Sequence, residues 1–120
     1  MIVDQIKKSI AAGTVIPKPE AKSDFTVKAW GKRRGEPALI YYIPNHGNPN
    51  KPHEKGITEN ELEKAFAQLQ QSGEFTRVWF NAHLAACAKE GACNYTTIGG
   101  IFELLSNAKY SSRGVYVRRV

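Results

Sequence analysis

Two sets of residues carry side chains able to hold a metal or move a proton. His83 and Cys87 stand four residues apart, so on a helix they share one face, and Cys93 follows a short way on. With His46 or His53 from the upstream loop they would make a four-ligand set of the nitrogen and thiolate type that zinc accepts. The spacing His-x3-Cys-x5-Cys matches no common zinc-finger pattern, however, and His83 and Cys87 fall on an apolar stripe where packing accounts for them. No metal is expected. The second set is Glu36, Glu54 and Glu61 with Lys51 or Lys55, from which a metal-dependent nuclease site could be assembled. Glu61 already has a task in a helix cap, and the chain spells no Gly-x-Ser-x-Gly, P-loop or His-Glu-x-x-His. The expectation is a protein that binds rather than catalyses, without a cofactor.

Charge points to what it would bind. Seventeen Lys and Arg against 11 Asp and Glu leave a formal charge of +6, and the isoelectric point is 9.4. Such a surplus favours anionic partners through steering and counterion release. The cations gather in two places. In Gly31-Lys32-Arg33-Arg34-Gly35 two glycines bracket three cations, which reads as an exposed turn, with Trp30, Tyr41 and Tyr42 close by in sequence. The C-terminal stretch offers Lys109, Arg113, Arg118 and Arg119 around Tyr116. A ring can stack on a base while a neighbouring arginine contacts the phosphate. Lys32, Arg33, Arg34, Lys109, Arg113, Arg118 and Arg119 are therefore the candidate contacts to DNA or RNA, with Trp30 or Tyr116 as stacking surface.

The elements that must position these residues follow from periodicity. A chain of 120 residues and 13.3 kDa has room for one domain, residues 1–120, and 42% hydrophobic residues suffice for a modest core. Ile2, Ile6 and Ile10, with Val3 beside them, predict a short helix ended by Gly13. Pro17 and Pro19 make residues 14–20 an extended connector. Phe25–Trp30 alternates with period two and Ala38–Ile43 is apolar throughout, which predicts a hairpin joined by Gly31–Gly35. Residues 44–56 hold three prolines and almost nothing apolar, and read as a long loop that is either a linker or functional.

Thr58 and Glu61 then form a capping box, so a helix starts there, buries Leu62, Phe66 and Leu69, and ends at Gly73. A second helix runs from a Thr76 cap to Gly91 and a third from Thr96 or Thr97 through Leu105. Gly99-Gly100 inside the third costs about 1 kcal/mol per glycine relative to alanine, and close approach of another backbone or of a ligand would be a reason for it. Arg113–Arg119 alternates as an edge strand. The class is α+β: residues 1–56 supply a helix, a small antiparallel sheet and a long loop, packed on a three-helix unit with a terminal strand at 57–120. Cys87 and Cys93 are no disulfide framework. With no long apolar run and no export-type leader at Met1–Lys8, the chain is expected in the cytoplasm, away from membranes.

In its order of elements, residues 57–120 resemble a winged helix-turn-helix domain. In that comparison residues 76–89 are the first helix of the motif, 97–107 the recognition helix and 108–120 the wing, with Ser111-Ser112-Arg113-Gly114-Val115-Tyr116-Val117 as the local text. The resemblance implies a recognition helix in the major groove and a wing against phosphates. Thr96-Thr97-Ile98-Gly99-Gly100-Ile101-Phe102-Glu103 offers hydroxyls, glycines and an acid where base readers carry Arg, Lys, Asn or Gln. The expectation is therefore sequence-tolerant phosphate contact. The alternative is a ligand-binding or protein-interaction module, with a protein partner or a second copy of the chain on surplus aromatics from Phe75, Trp79, Phe80 and Phe102. The whole chain also resembles short uncharacterised proteins of bacterial mobile genes such as integron cassettes, which implies a bacterial cytoplasmic origin.

Overall fold

Ile2, Val3 and Ile6 share one buried face, and they make α1 (Ile2–Ser9) a short amphipathic helix whose last apolar neighbour, Ile10, is already extended. The computed structural model, which describes Met1–Val120, continues from there into a first sheet. Four strands follow one another in it as an antiparallel meander: β1 (Val15–Ile16), β2 (Phe25–Arg33), β3 (Glu36–Ile43) and β4 (His53–Thr58).

The β2–β3 hairpin is tighter than the sequence predicts. Gly31, Lys32 and Arg33 are paired strand residues, and only Arg34 and Gly35 make the turn, at φ of 50° and 77°. Two successive left-handed residues are what a two-residue connection needs to follow the strand twist. The last four residues of the expected 44–56 loop are also strand, since β4 pairs with β3 from Ile43↔His53 to Ala38↔Thr58. As an edge strand β4 can leave His53 and Glu54 in solvent, so its apolar signature is confined to Ile57.

Thr58 caps α2 (Glu59–Ser72) with the expected box: its hydroxyl accepts from the Glu61 amide at 3.1 Å and the Glu61 carboxylate accepts from the Thr58 amide at 2.8 Å. Gly73, at φ 83°, ends the helix in the left-handed conformation. A strand the sequence does not announce, β5 (Glu74–Thr76), leads to α3 (Arg77–His83), whose first turn Thr76 caps. The helix predicted to run on to Gly91 breaks at Leu84 (φ −121°, ψ 50°) and resumes as α4 (Ala85–Glu90). Next, α5 (Asn94–Leu104) begins before both threonines proposed as its cap, with Cys93 at the N-cap. The chain closes with β6 (Ala108–Ser112) and β7 (Val115–Arg118). They form a second antiparallel sheet of order β5-β7-β6, so the last strand is central rather than an edge.

One buried cluster draws on both halves, from Ile2 and Leu39 to Phe75, Phe80, Phe102 and Tyr116. The aromatics offered above as an interface surplus are mostly this core, for Phe75, Phe80 and Phe102 have no exposure. At its centre lies α5, and the glycine pair is the reason it fits. A Cβ on Gly99 would collide with the Tyr116 ring, and one on Gly100 with the Pro17 carbonyl and, at 2.8 Å, with Ile16. The helix is thus clamped between β7 and the chain leaving β1, which is the close backbone approach that paired glycines permit. No helix is long and apolar enough to cross a membrane.

Candidate functional site

The connector between β1 and β2 carries the first functional side chain. Pro17 and Pro19 stiffen it on either side of Lys18, and Lys18 reaches down onto the first turn of α5. Its ammonium donates to the Cys93 carbonyl at 2.9 Å, to Thr96 Oγ1 at 2.9 Å and to Thr97 Oγ1 at 2.6 Å. Three acceptors match its three N–H groups. The charge also sits 4.3 Å from the centre of the Phe25 ring. Burial lowers the Lys18 pKa from 10.5 to about 8; the nearby Cys93 opposes the shift and the Arg77 charge adds to it.

Arg77 opens α3, where a cation faces the wrong end of the helix dipole. Two contacts hold it there. Its guanidinium lies 4.7 Å from the centre of the Tyr95 ring and donates to the Ala92 carbonyl at 3.1 Å. Its backbone amide bonds to the Gly114 carbonyl, which ties α3 to the β6–β7 turn and brings Arg113 alongside. Between the connector, α3, the start of α5 and the second hairpin opens a cleft of about 480 Å³. Three cations line it, Lys18, Arg77 and Arg113, against one carboxylate, Glu20, and the half-buried rings of Phe25 and Tyr110 add apolar wall.

Behind this wall stands a buried polar network. The Tyr41 hydroxyl donates to Asn94 Oδ1 at 2.5 Å and touches the Cys93 thiol at 3.2 Å, and the Asn94 amide donates to the Cys87 carbonyl at 2.9 Å. Burial drives the Tyr41 pKa up, with Cys93 adding to the shift, and burial likewise raises those of Tyr95 and Cys87. These groups stay neutral at ordinary pH. They fix the start of α5, and with it the acceptors that hold Lys18, without adding negative charge to the cleft.

The residues proposed from sequence are placed differently from one another. Arg34 is not free for a phosphate. It is bonded to both oxygens of Glu61, at 2.5 and 3.2 Å, to Glu90 and to the Gly56 carbonyl at 3.2 Å. Burial alone would lower its pKa, but the hydrogen bonds and charge of Glu61, with Glu90 behind, hold it above its usual value. Arg33 is paired with Glu90 at 3.5 Å. Only Lys32 of that trio is exposed and without a salt bridge. Trp30 is half-buried, with Lys7 4.8 Å from its ring centre. Tyr116 has no exposure at all, so it offers no face to a base, and burial raises its hydroxyl pKa.

On the second hairpin Lys109, Arg113, Arg118 and Arg119 are all exposed. Arg113 is the one that joins the cleft; Arg118 bonds to the Gln70 carbonyl at the far end of the hairpin. The zinc and nuclease sets do not assemble. His83 is exposed and stacked on Trp79, Cys87 is buried, and no group of three His, Cys, Asp or Glu could hold a metal ion. Glu54 is paired with Lys28, Glu61 with Arg34, and Lys55 donates to the Glu90 carbonyl. No family model, curated protein or solved structure matches the chain.

Sequence reasoning missed Lys18 and Arg77. Both had a signal. Lys18 stands between two prolines, and Arg77 is a cation directly after a helix cap, where an acid is the usual choice. Residues that break a local rule without an evident local gain are where function is to be sought.

Proposed function

We propose that the protein is a binding module for a small organic anion held in the Lys18–Arg77–Arg113 cleft. The observation that carries this reading is the convergence of three cations, from the connector, α3 and the β6–β7 turn, on one cleft with a single carboxylate. Arginine forks suit carboxylate and phosphate oxygens, and Arg77 is already oriented by Tyr95 and Ala92, so little freedom is lost on binding. The size is in keeping, since small-molecule sites run from roughly 300 to 1,000 Å³. Isothermal titration with phenyl phosphate and with benzoate at low salt tests it. Binding that weakens about tenfold in Arg113→Ala, a loss of about 1.4 kcal/mol, supports the reading, and equal binding by that variant refutes it.

A second reading, contact with a nucleic-acid backbone, has its own observation. Lys109, Arg113 and Arg119 are exposed and form no salt bridge, and the unit that bears them runs helix, strand, broken helix, helix and hairpin, in keeping with a winged helix-turn-helix. Base reading by α5 is not part of it. Eight of its 11 residues are buried, leaving only Thr96, Glu103 and Leu104 at the surface. This reading expects fluorescence anisotropy to report binding of any short DNA or RNA, lost between about 50 and 200 mM salt. No binding at the lower salt removes it.

A further inference from the structure

The cationic cleft does not end at its cations. A second hollow, of about 370 Å³, shares Ala21 and Phe25 with it and continues over Ile43 and Pro44, with His46 and Lys22 at the rim. The two share a wall made by the connector and the first residue of β2. One side of that wall presents Lys18, Arg77 and Arg113; the other presents the carbons of Ile43 and Pro44, with Lys22, Ser23 and His46 around them. Both Phe25 and Ile43 are only partly buried although they pack against the core, so each keeps apolar surface in solvent. Covering such surface is favourable by about 25 cal/mol per Å².

We infer that the ligand is an amphiphilic anion, a carboxylate or phosphate head with an apolar body, lying across Ala21 and Phe25 so that the head meets Arg77 and Arg113 and the body covers Phe25, Ile43 and Pro44. The inference rests on the anion reading above and goes beyond it in assigning the ligand's other half. Charge sets the direction. Three cations gather at the first hollow and the carbon surface lies beyond the shared wall, so the head and body have one way to lie.

A chain-length series at low salt, below micelle formation, tests this. Butanoate, hexanoate and octanoate, and butyl and octyl phosphate, are titrated into the intact protein by calorimetry. The short members test the anion reading, and the gain with length tests the inference. Each added methylene that is covered should tighten binding roughly three- to fourfold, and the head that binds better identifies carboxylate or phosphate as the natural group. Pro44→Gln, at a position that lines the second hollow and not the first, should remove most of the gain with length while leaving butanoate binding unchanged. Short anions that bind with no gain on lengthening overturn the inference and leave the anion reading standing. Long chains that bind Arg113→Ala and Pro44→Gln as well as the parent protein overturn it too, as apolar adsorption elsewhere. If neither short nor long members bind, both fall together.

Discussion

The molecule has two basic hairpins, and they do opposite things with their charge. In β2–β3 the arginines turn inward: Arg33 and Arg34 meet Glu90 and Glu61, and the hairpin is thereby stitched to α4 and α2. In β6–β7 the cations face solvent, and Arg113 joins Lys18 and Arg77 from elsewhere in the chain. A run of cations is thus evidence of function only where no carboxylate comes to meet it. The first hairpin uses its charge for structure, and the second leaves its charge in solvent, where the proposed ligand would meet it.

The largest effect that could break this comparison is steric. Gly99→Ala drives a methyl into the Tyr116 ring of β7 and should destabilise the protein by about 3 kcal/mol or more. Gly31→Ala on β2, where the nearest atom is Ile40 Cγ1 at 3.3 Å, should cost much less. Urea unfolding compares the two, and equal losses would mean that β7 is not clamped on α5. Next comes Arg34→Ala, which leaves the largely buried Glu61 without a cation and Glu90 with Arg33 alone, and should cost about 2–3 kcal/mol. Arg113→Ala should stay within about 0.5 kcal/mol of the parent in the same experiment. Similar values for the two arginines would erase the contrast. In binding the order reverses: Arg113→Ala loses about tenfold in anion affinity, and Lys32→Ala on the first hairpin loses none.

The smallest effect is one of pH. The Lys18 pKa is lowered from 10.5 to about 8 by burial, so the folded protein sheds this proton first. Anion affinity should therefore decline as pH rises through about 8, and Lys18→Met should flatten that decline. Stability moves the other way. Between about pH 8 and 10.5 the unfolded chain binds more protons at Lys18 than the folded one, so this group's contribution rises with pH across that window. The buried hydroxyls of Tyr95 and Tyr116 oppose it, because their raised values withdraw stability once pH climbs past their ordinary value of 10. Affinity measured at about pH 7 and pH 9 separates Lys18 from these groups, which are neutral at both.

Local chemistry was the legible part of the chain. The Thr58–Glu61 box, the Gly73 stop and the α+β alternation are written in neighbouring residues, and the Gly99-Gly100 pair announced a close approach before its partners were visible. What could not be read lies in distant pairing. Arg34 finds Glu61 and Glu90 across 27 and 56 positions, and no local pattern separates those arginines from the equally basic ones near the C-terminus. Edge strands were lost for a related reason: β4 needs only one buried apolar residue, and β5 is three residues long. The break at Leu84 and the role of Lys18 likewise depend on what packs against them.

Anion binding where Lys18, Arg77 and Arg113 converge can be mapped by amide chemical shifts during titration with phenyl phosphate at low salt. Saturable shifts are expected at residues 18–21, at Arg77, at residues 92–96 and around Tyr110 to Gly114, with the β2–β3 turn unmoved. Shifts spread over all exposed cations without saturation, or centred on Lys32 to Gly35, would contradict it.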